Sequence, residues 1–316
     1  MQRRSNLSVL AVALALIGWS ASAGATSLLA QDRWPGAPAP PTGRQVVPFF
    51  EGWYDNGDDT YTISFGYLNR NLTSTIEIPL GERNFIEPAQ HDGAQPTTFL
   101  PSRQRGFFAI TIPASEKDQD IWWSITGEDG QVYKVPGRTS SNAYQLDWTP
   151  RPHGSLPPDT WFDSERDASR GPAGVWADGP LRASVGRPVT LAVSVSDSSE
   201  RDAEDRRFAE PLDVRVTWSK YRGPAGEATF SRHESTSEAS SPVVRPGGGR
   251  GAQVRGPRPE VIMLDGVAGT ASVYATFSAP GEYIMLAQAD NWRSPDSSAG
   301  DQCCWTNAYQ RVIVTP

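Results

Sequence analysis

The chain has 316 residues and a formal net charge of −7, a balance that argues against nucleic acid or an anionic membrane as the main partner. Its 27 prolines and 29 glycines, set against 38% hydrophobic residues, suit short strands joined by many turns rather than helices. The length allows two domains of ordinary size, and 11 tryptophans put aromatic bulk into their cores.

Residues 1–25 read as a signal peptide. Arg3 and Arg4 form a basic start, Leu7 to Ile17 is an apolar run, and Ala23-Gly-Ala25 offers a small-residue cleavage site. The run is short of the roughly 20 residues a spanning helix needs. The expectation is therefore an exported protein, periplasmic or extracellular, with no membrane span after cleavage. Pro35, Pro38, Pro40 and Pro41 mark residues 26–44 as a Pro/Gly-rich linker.

Residues 45–148 read as a first β-sandwich. Val47-Pro-Phe-Phe-Glu-Gly-Trp-Tyr54 leads through Asn56-Gly57 into Thr60 to Leu68, and an Asn-Gly pair between two aromatic-rich runs is a hairpin signal. In the second run Tyr61, Ile63, Phe65 and Tyr67 share one face. Further strands are expected at Thr75 to Leu80, Gly106 to Ile112, Ile121 to Thr126, Gln131 to Val135 and Ala143 to Trp148. Pro and Gly breakers separate them, and no helical period of useful length intervenes. Glu82 to Gln104, with Phe85 and Phe99, is expected to be a long loop and a place to look for a contact surface.

Two readings of side chains attach to this half. Asp55, Asp58 and Asp59 could offer hard oxygen ligands to calcium, but they lack the spacing and distal glutamate of an EF-hand, and a solvated hairpin tip accounts for them. Trp53, Tyr54, Trp122 and Trp123 could form a stacking platform for sugar rings. Adjacent strand residues point to opposite faces, so one member of each pair is expected in the core and the other outside.

Residues 149–179 form a breaker-dense connector. Trp161-Phe162 and Val175-Trp176 are read as staples that dock it onto the rest. Residues 180–316 read as a second sandwich. Val189, Leu191, Val193 and Val195 alternate inward, as do Leu212, Val214, Val216 and Trp218. Thr229-Phe230, Val267 to Phe277, Gly281 to Ala289 and Ala308 to Val314 supply the remaining strands. After the Pro280-Gly281 corner, Tyr283, Met285 and Ala287 share a face. In immunoglobulin-type sandwiches a tyrosine stands at this corner, two residues before a core position.

Val189-Thr-Leu-Ala-Val-Ser-Val-Ser-Asp197, Val216-Thr-Trp-Ser-Lys220 with Gly223-Pro224, and Ala275-Thr-Phe-Ser-Ala-Pro-Gly-Glu-Tyr283 together resemble a polycystic-kidney-disease-type (PKD-like) immunoglobulin domain of bacterial exported proteins. The resemblance spans residues 179–316. A Ser-Lys-Tyr-Arg-Gly-Pro run stands where many such domains carry Gly-Asp-Gly. The resemblance implies a non-catalytic module for adhesion, spacing or carbohydrate contact, and transfers no catalytic residue.

The loop from Pro242 to Pro259, with Arg245, Arg255 and Arg258, reads as a flexible insertion rather than a polyanion site. Cys303 and Cys304 are the only cysteines. They leave a vicinal disulfide, an intermolecular bridge or two thiols open, and a metal site needs more soft ligands. His91, His153 and His233 each fall in expected loops, and no nucleophile elbow, zinc-protease helix or phosphate loop is present. The expectation is a non-enzyme without cofactor. It contacts a polysaccharide or protein partner through loops of the first half, through exposed tryptophans and loop carboxylates, or through an uncovered edge strand.

Overall fold

The computed structural model describes residues 45–71, 73–146, 154–201, 204, 213–236, 258–291 and 304–316. The expected leader and linker (residues 1–44), His153, Leu212, Arg245, Arg255 and Cys303 lie outside them. The chain is all-β, built of mainly antiparallel sheets with a few single 3₁₀ turns.

The first half contributes β1 (Val46–Asp55), β2 (Thr60–Asn69), β3 (Ile76–Glu77), β4 (Asn84–Glu87), β5 (Thr98–Phe99), β6 (Ser102–Pro113), β7 (Ile121–Thr126) and β8 (Val132–Gly137). The order β1-β2-β6 makes one sheet, β4-β7-β8 a second, and β3-β5 a small ladder. The expected hairpin is present: Asn56 N–H donates to Thr60 C=O across the tip, and Gly57 takes φ 75°, which its missing side chain permits. Ile63, Phe65 and Tyr67 of β2 face Trp123 and Ile125 of β7 across a fully buried core. The stretch expected as a loop from Glu82 to Gln104 instead carries β4, β5 and the start of β6. The strand expected from Ala143 is a 3₁₀ turn at Asn142–Tyr144 followed by Leu146 on the outer side of β1.

The connector supplies β9 (Asp159–Trp161), β10 (Val175–Trp176) and, just beyond it, β11 (Leu181–Ser184). Then come β12 (Val189–Ser196), β13 (Arg215–Arg222), β14 (Ala228–Arg232), β15 (Val261–Met263), β16 (Ala268–Phe277), β17 (Gly281–Asp290) and β18 (Trp305–Thr315). One sheet runs β10-β18-β17-β13-β15, with β11 beside β18; the other runs β14-β16-β12-β9. Both connector strands therefore pair within these sheets, and Phe162 and Val175 pack on their shared core.

Period-2 alternation builds that core. Leu191, Val193 and Val195 from β12 meet Val216, Trp218, Met285 and Ala287 from β13 and β17, all buried. Tyr283 lies among them, and its hydroxyl donates to Ala279 C=O at 2.9 Å, four residues upstream across the Pro-Gly corner. That bond is the tyrosine corner of sandwich folds.

The opposite face of β17 and β13 is not given to solvent. Leu286, Tyr221 and Tyr309 are buried in the first-half core together with Phe65, Phe107 and Trp123, and Ile284 packs beside them. All these strands belong to one compact unit, Pro41–Pro316.

Candidate functional site

Where the halves meet, the backbone of each reaches the other. Thr97 N–H donates to Tyr221 C=O at 3.1 Å. Gln288 Nε2 donates to Arg105 and Gly106 carbonyls at 3.0 and 3.1 Å, and Asn307 Nδ2 donates to Gly106 C=O at 2.9 Å. A Cβ built on Gly106 would fall 2.0 Å from the Trp305 ring, so the indole lies directly on the bare backbone. Trp305 completes a small cluster with Tyr54 and Leu146 on the outer side of the first sheet.

Beside this seam the halves diverge and leave a cleft of about 1280 Å³. Alternation explains its base. On β13 and β17 the even positions of one strand and the odd positions of the other enter the sandwich core, which turns Thr217, Ser219, Leu286 and Gln288 outward. One wall comes from the first half: Glu77, Thr98 and the run from Leu100 to Arg105. The other comes from Ala225 to Phe230 with Arg258 and Glu260, and Cys304 and Trp305 close one end.

Most charged groups of the cleft, which also includes Arg105 and Glu227, are held in ion pairs. Lys220 Nζ bonds Glu77 Oε1 at 2.8 Å and the Pro224 and Gly226 carbonyls, Arg215 holds Asp290 at 2.8 Å, and Arg258 holds Glu260 at 2.8 Å. Arg103 pairs with Glu51 at 2.7 Å. Glu51 is buried, and its burial pushes the carboxyl above the ordinary glutamate value although the Arg103 charge opposes the rise. Between these pairs the cleft presents hydroxyl and amide groups, such as Thr98, Ser102, Gln104, Thr217 and Gln288, beside apolar Leu100, Phe107, Phe230 and Leu286.

The aromatic residues expected to stack on a ligand are distributed differently. Trp123 is fully buried and donates Nε1–H to Asn84 Oδ1 at 3.0 Å; Phe99 is fully buried beside it. Trp53 and Tyr54 are both buried, against the expectation of one inside and one out. The reason is that both faces of β1 are covered: Trp53 faces Tyr61 and donates to Ser141 C=O, while Tyr54 lies under Leu146 and Trp305. These four are corrected from binding candidates to core.

Phe85 and Trp122 are half-buried. Register places Phe85 opposite Ser124 and Glu87 opposite Trp122, so the two rings are diagonal neighbours on the outer face of β4-β7-β8. Lys134 Nζ lies 4.8 Å from the Trp122 ring centre.

The acidic hairpin tip is self-satisfied. Asp55 Oδ1 accepts from Gly57 N–H, and Asp58 Oδ1 accepts from the Thr60 amide and hydroxyl. Among the described residues no group of three or more His, Cys, Asp or Glu is placed to hold a metal ion. His91 bonds Glu116 at 2.7 Å, and His233 bonds Ser235 at 2.8 Å. Cys304 is buried and disulfide-bonded. Trp176, expected as a docking staple, does stack on Tyr309 at 4.7 Å, but sequence reasoning missed that it stays about half exposed (49%). It also missed the cleft, because no local pattern announces which outward strand face another part of the chain will meet.

No family model matches the chain, and no curated protein matches it. Among solved structures it is similar to the ASH/PapD-like domain of human CEP192 (PapD-like domain 7), 8% identical over 57% of this chain and 96% of that one, TM-score 0.24. It is also similar to the D00-D0 domain of Intimin, 12% identical over 86% and 100% of the two chains, TM-score 0.23. A protein of unknown function from Porphyromonas gingivalis W83 is 8% identical over 85% and 98%, TM-score 0.23. At these TM-scores no function passes from them to this chain. No described helix is long and apolar enough to cross a membrane.

Proposed function

We propose that this chain is an exported, non-catalytic binding module that holds a segment of a partner polymer in the cleft between its halves. The second half serves in this reading as a PKD-like immunoglobulin module. The observation that carries the proposal is the cleft itself, of about 1280 Å³ and walled by both halves. That volume exceeds the roughly 300–1,000 Å³ typical of small-ligand pockets. Glu77, Glu260 and Asp290, three of its carboxylates, are held by cations, which suits recognition better than proton transfer. The basic start, apolar run and small-residue site read in residues 1–25 support export.

A second reading is favoured by one observation of its own: Phe85 and Trp122 share an outer sheet face and remain part-exposed. In that reading the protein binds carbohydrate by stacking.

One experiment separates them. The full chain is applied to an array bearing both glycans and peptides, beside Thr217→Arg, which fills the cleft base, and Trp122→Ala. Saturable binding lost in Thr217→Arg and kept in Trp122→Ala supports the cleft. The reverse pattern transfers the function to the stacking face, and no saturable binding at all overturns both.

A further inference from the structure

We infer that the cleft receives an extended polypeptide segment of low net charge, which pairs as an added strand along the open edge of β14. The inference rests on the cleft reading and names its ligand class.

β14 is a terminal strand: it pairs with β16 and with no other described strand. Its five residues make it the longest of the strands that end the two second-half sheets; β9 and β15 have three, β10 two and β11 four. Short edge strands offer little to a foreign strand. β14, at about 3.4 Å per residue, offers roughly 17 Å of edge.

The ladder fixes which backbone groups are open. Ser278 N–H donates to Glu227 C=O at 3.0 Å. In an antiparallel ladder every second residue exchanges bonds with the neighbouring strand, so Glu227, Thr229 and Ser231 face β16. Ala228 and Phe230 therefore turn their N–H and C=O to the other side, and among the described residues neither makes a backbone hydrogen bond there. Both residues line the cleft. A row of alternating donors and acceptors left unpaired among the described residues and bordering a cleft is what strand addition requires.

Charge narrows the occupant. Arg103, Arg215, Lys220 and Arg258 are each held by a carboxylate within 2.8 Å, and the remaining lining charges, Arg105 and Glu227, are of opposite sign, so the space favours neither a polyanion nor a polycation. The facing wall carries Thr98, Ser102 and Gln104, which can donate to or accept from the side chains of a strand lying between. A neutral glycan could use those hydroxyls, but it has no regular backbone N–H and C=O to match Ala228 and Phe230.

The test uses the full chain and a displayed library of random peptides about twelve residues long, long enough to cover the edge. Peptides are expected to be selected, and their affinity to fall at least tenfold in Ala228→Pro. Proline there removes an outward N–H and sets its ring where the partner must lie, and an open edge tolerates it. Trp122→Ala is expected to leave the affinity unchanged. Should Ala228→Pro lower the melting temperature, hydrogen exchange on the unaltered protein decides. Bound peptide is then expected to slow exchange at the Ala228 and Phe230 amides above all others.

Failure to select any peptide, full-strength binding to Ala228→Pro in its folded state, or protection confined to other strands would each overturn the inference. Glycan binding lost in Thr217→Arg would also overturn it while leaving the cleft in use. Indifference of every bound probe to Thr217→Arg would remove the cleft reading as well.

Discussion

Trp123 illustrates how a single residue changes meaning once its surroundings are known. Its ring stands edge-on to Phe108 at 4.8 Å and its Nε1–H is bonded to Asn84. Trp123→Ala is therefore expected to cost about 3–5 kcal/mol, read by urea denaturation, whereas Trp122→Ala on the outer face costs a small part of that. Tyr283→Phe keeps the ring in the core and deletes only the bond to Ala279; about 1 kcal/mol is expected from the same measurement. The corner tyrosine was legible in sequence because a Pro-Gly breaker and an alternating strand fix it locally. The fate of Trp53 and Tyr54 was not, since it depends on Leu146 and Trp305, far away in the chain.

Glu51 gives a pH prediction with an unusual sign. Its native carboxyl is raised above the ordinary glutamate value by burial, so the folded state binds the proton more tightly than the unfolded one. Its contribution to stability is then greatest at low pH and is lost as pH rises from the ordinary glutamate range through the native value. Relative to Glu51→Gln, the natural protein should lose stability over that interval. Paired denaturation curves across it check the slope; an opposite slope would mean that the Arg103 charge outweighs burial.

Among elements, the long strands were readable and the short ones were not. β2, β7, β12 and β17 alternate over six to ten residues, enough for a period-2 pattern to stand out. β3 and β5 have two residues each, and β4 has four. Such lengths carry no period, and they exist because neighbouring strands supply their partners. β6 gained its first residues the same way, by pairing Ser102 to Gln104 with Asn69 to Tyr67. Gly106 in that strand has φ 53° and supports the Trp305 ring. Gly106→Ala is expected to displace the indole, seen as a red shift and weaker structure-sensitive fluorescence, with stability lowered by at least 2 kcal/mol from overpacking and a strained φ together.

At the scale of the whole molecule, the decisive fact is that β17 is covered on both faces. Met285 and Ala287 enter one core and Leu286 the other. Leu286→Asp places a charge in the first-half core and should destabilise both halves at once by several kcal/mol. Calorimetry on the natural chain is expected to show one cooperative transition, since melting the first half alone would strip Tyr221, Leu286 and Tyr309 of their cover. Two well-separated transitions would show that the seam contributes little.

The phenols of that seam set a limit on the alkaline side. Burial holds the Tyr67, Tyr221 and Tyr309 hydroxyls well above the usual tyrosine value, so none of them can shed its proton in place at a pH where a free phenol does, about 10. Base then acts on the unfolded chain in preference to the folded one, and stability drains away as pH climbs past that value. In an ultraviolet titration the exposed phenolates should appear first and gradually. The seam phenolates should follow as a late, abrupt increment that coincides with loss of near-ultraviolet circular dichroism.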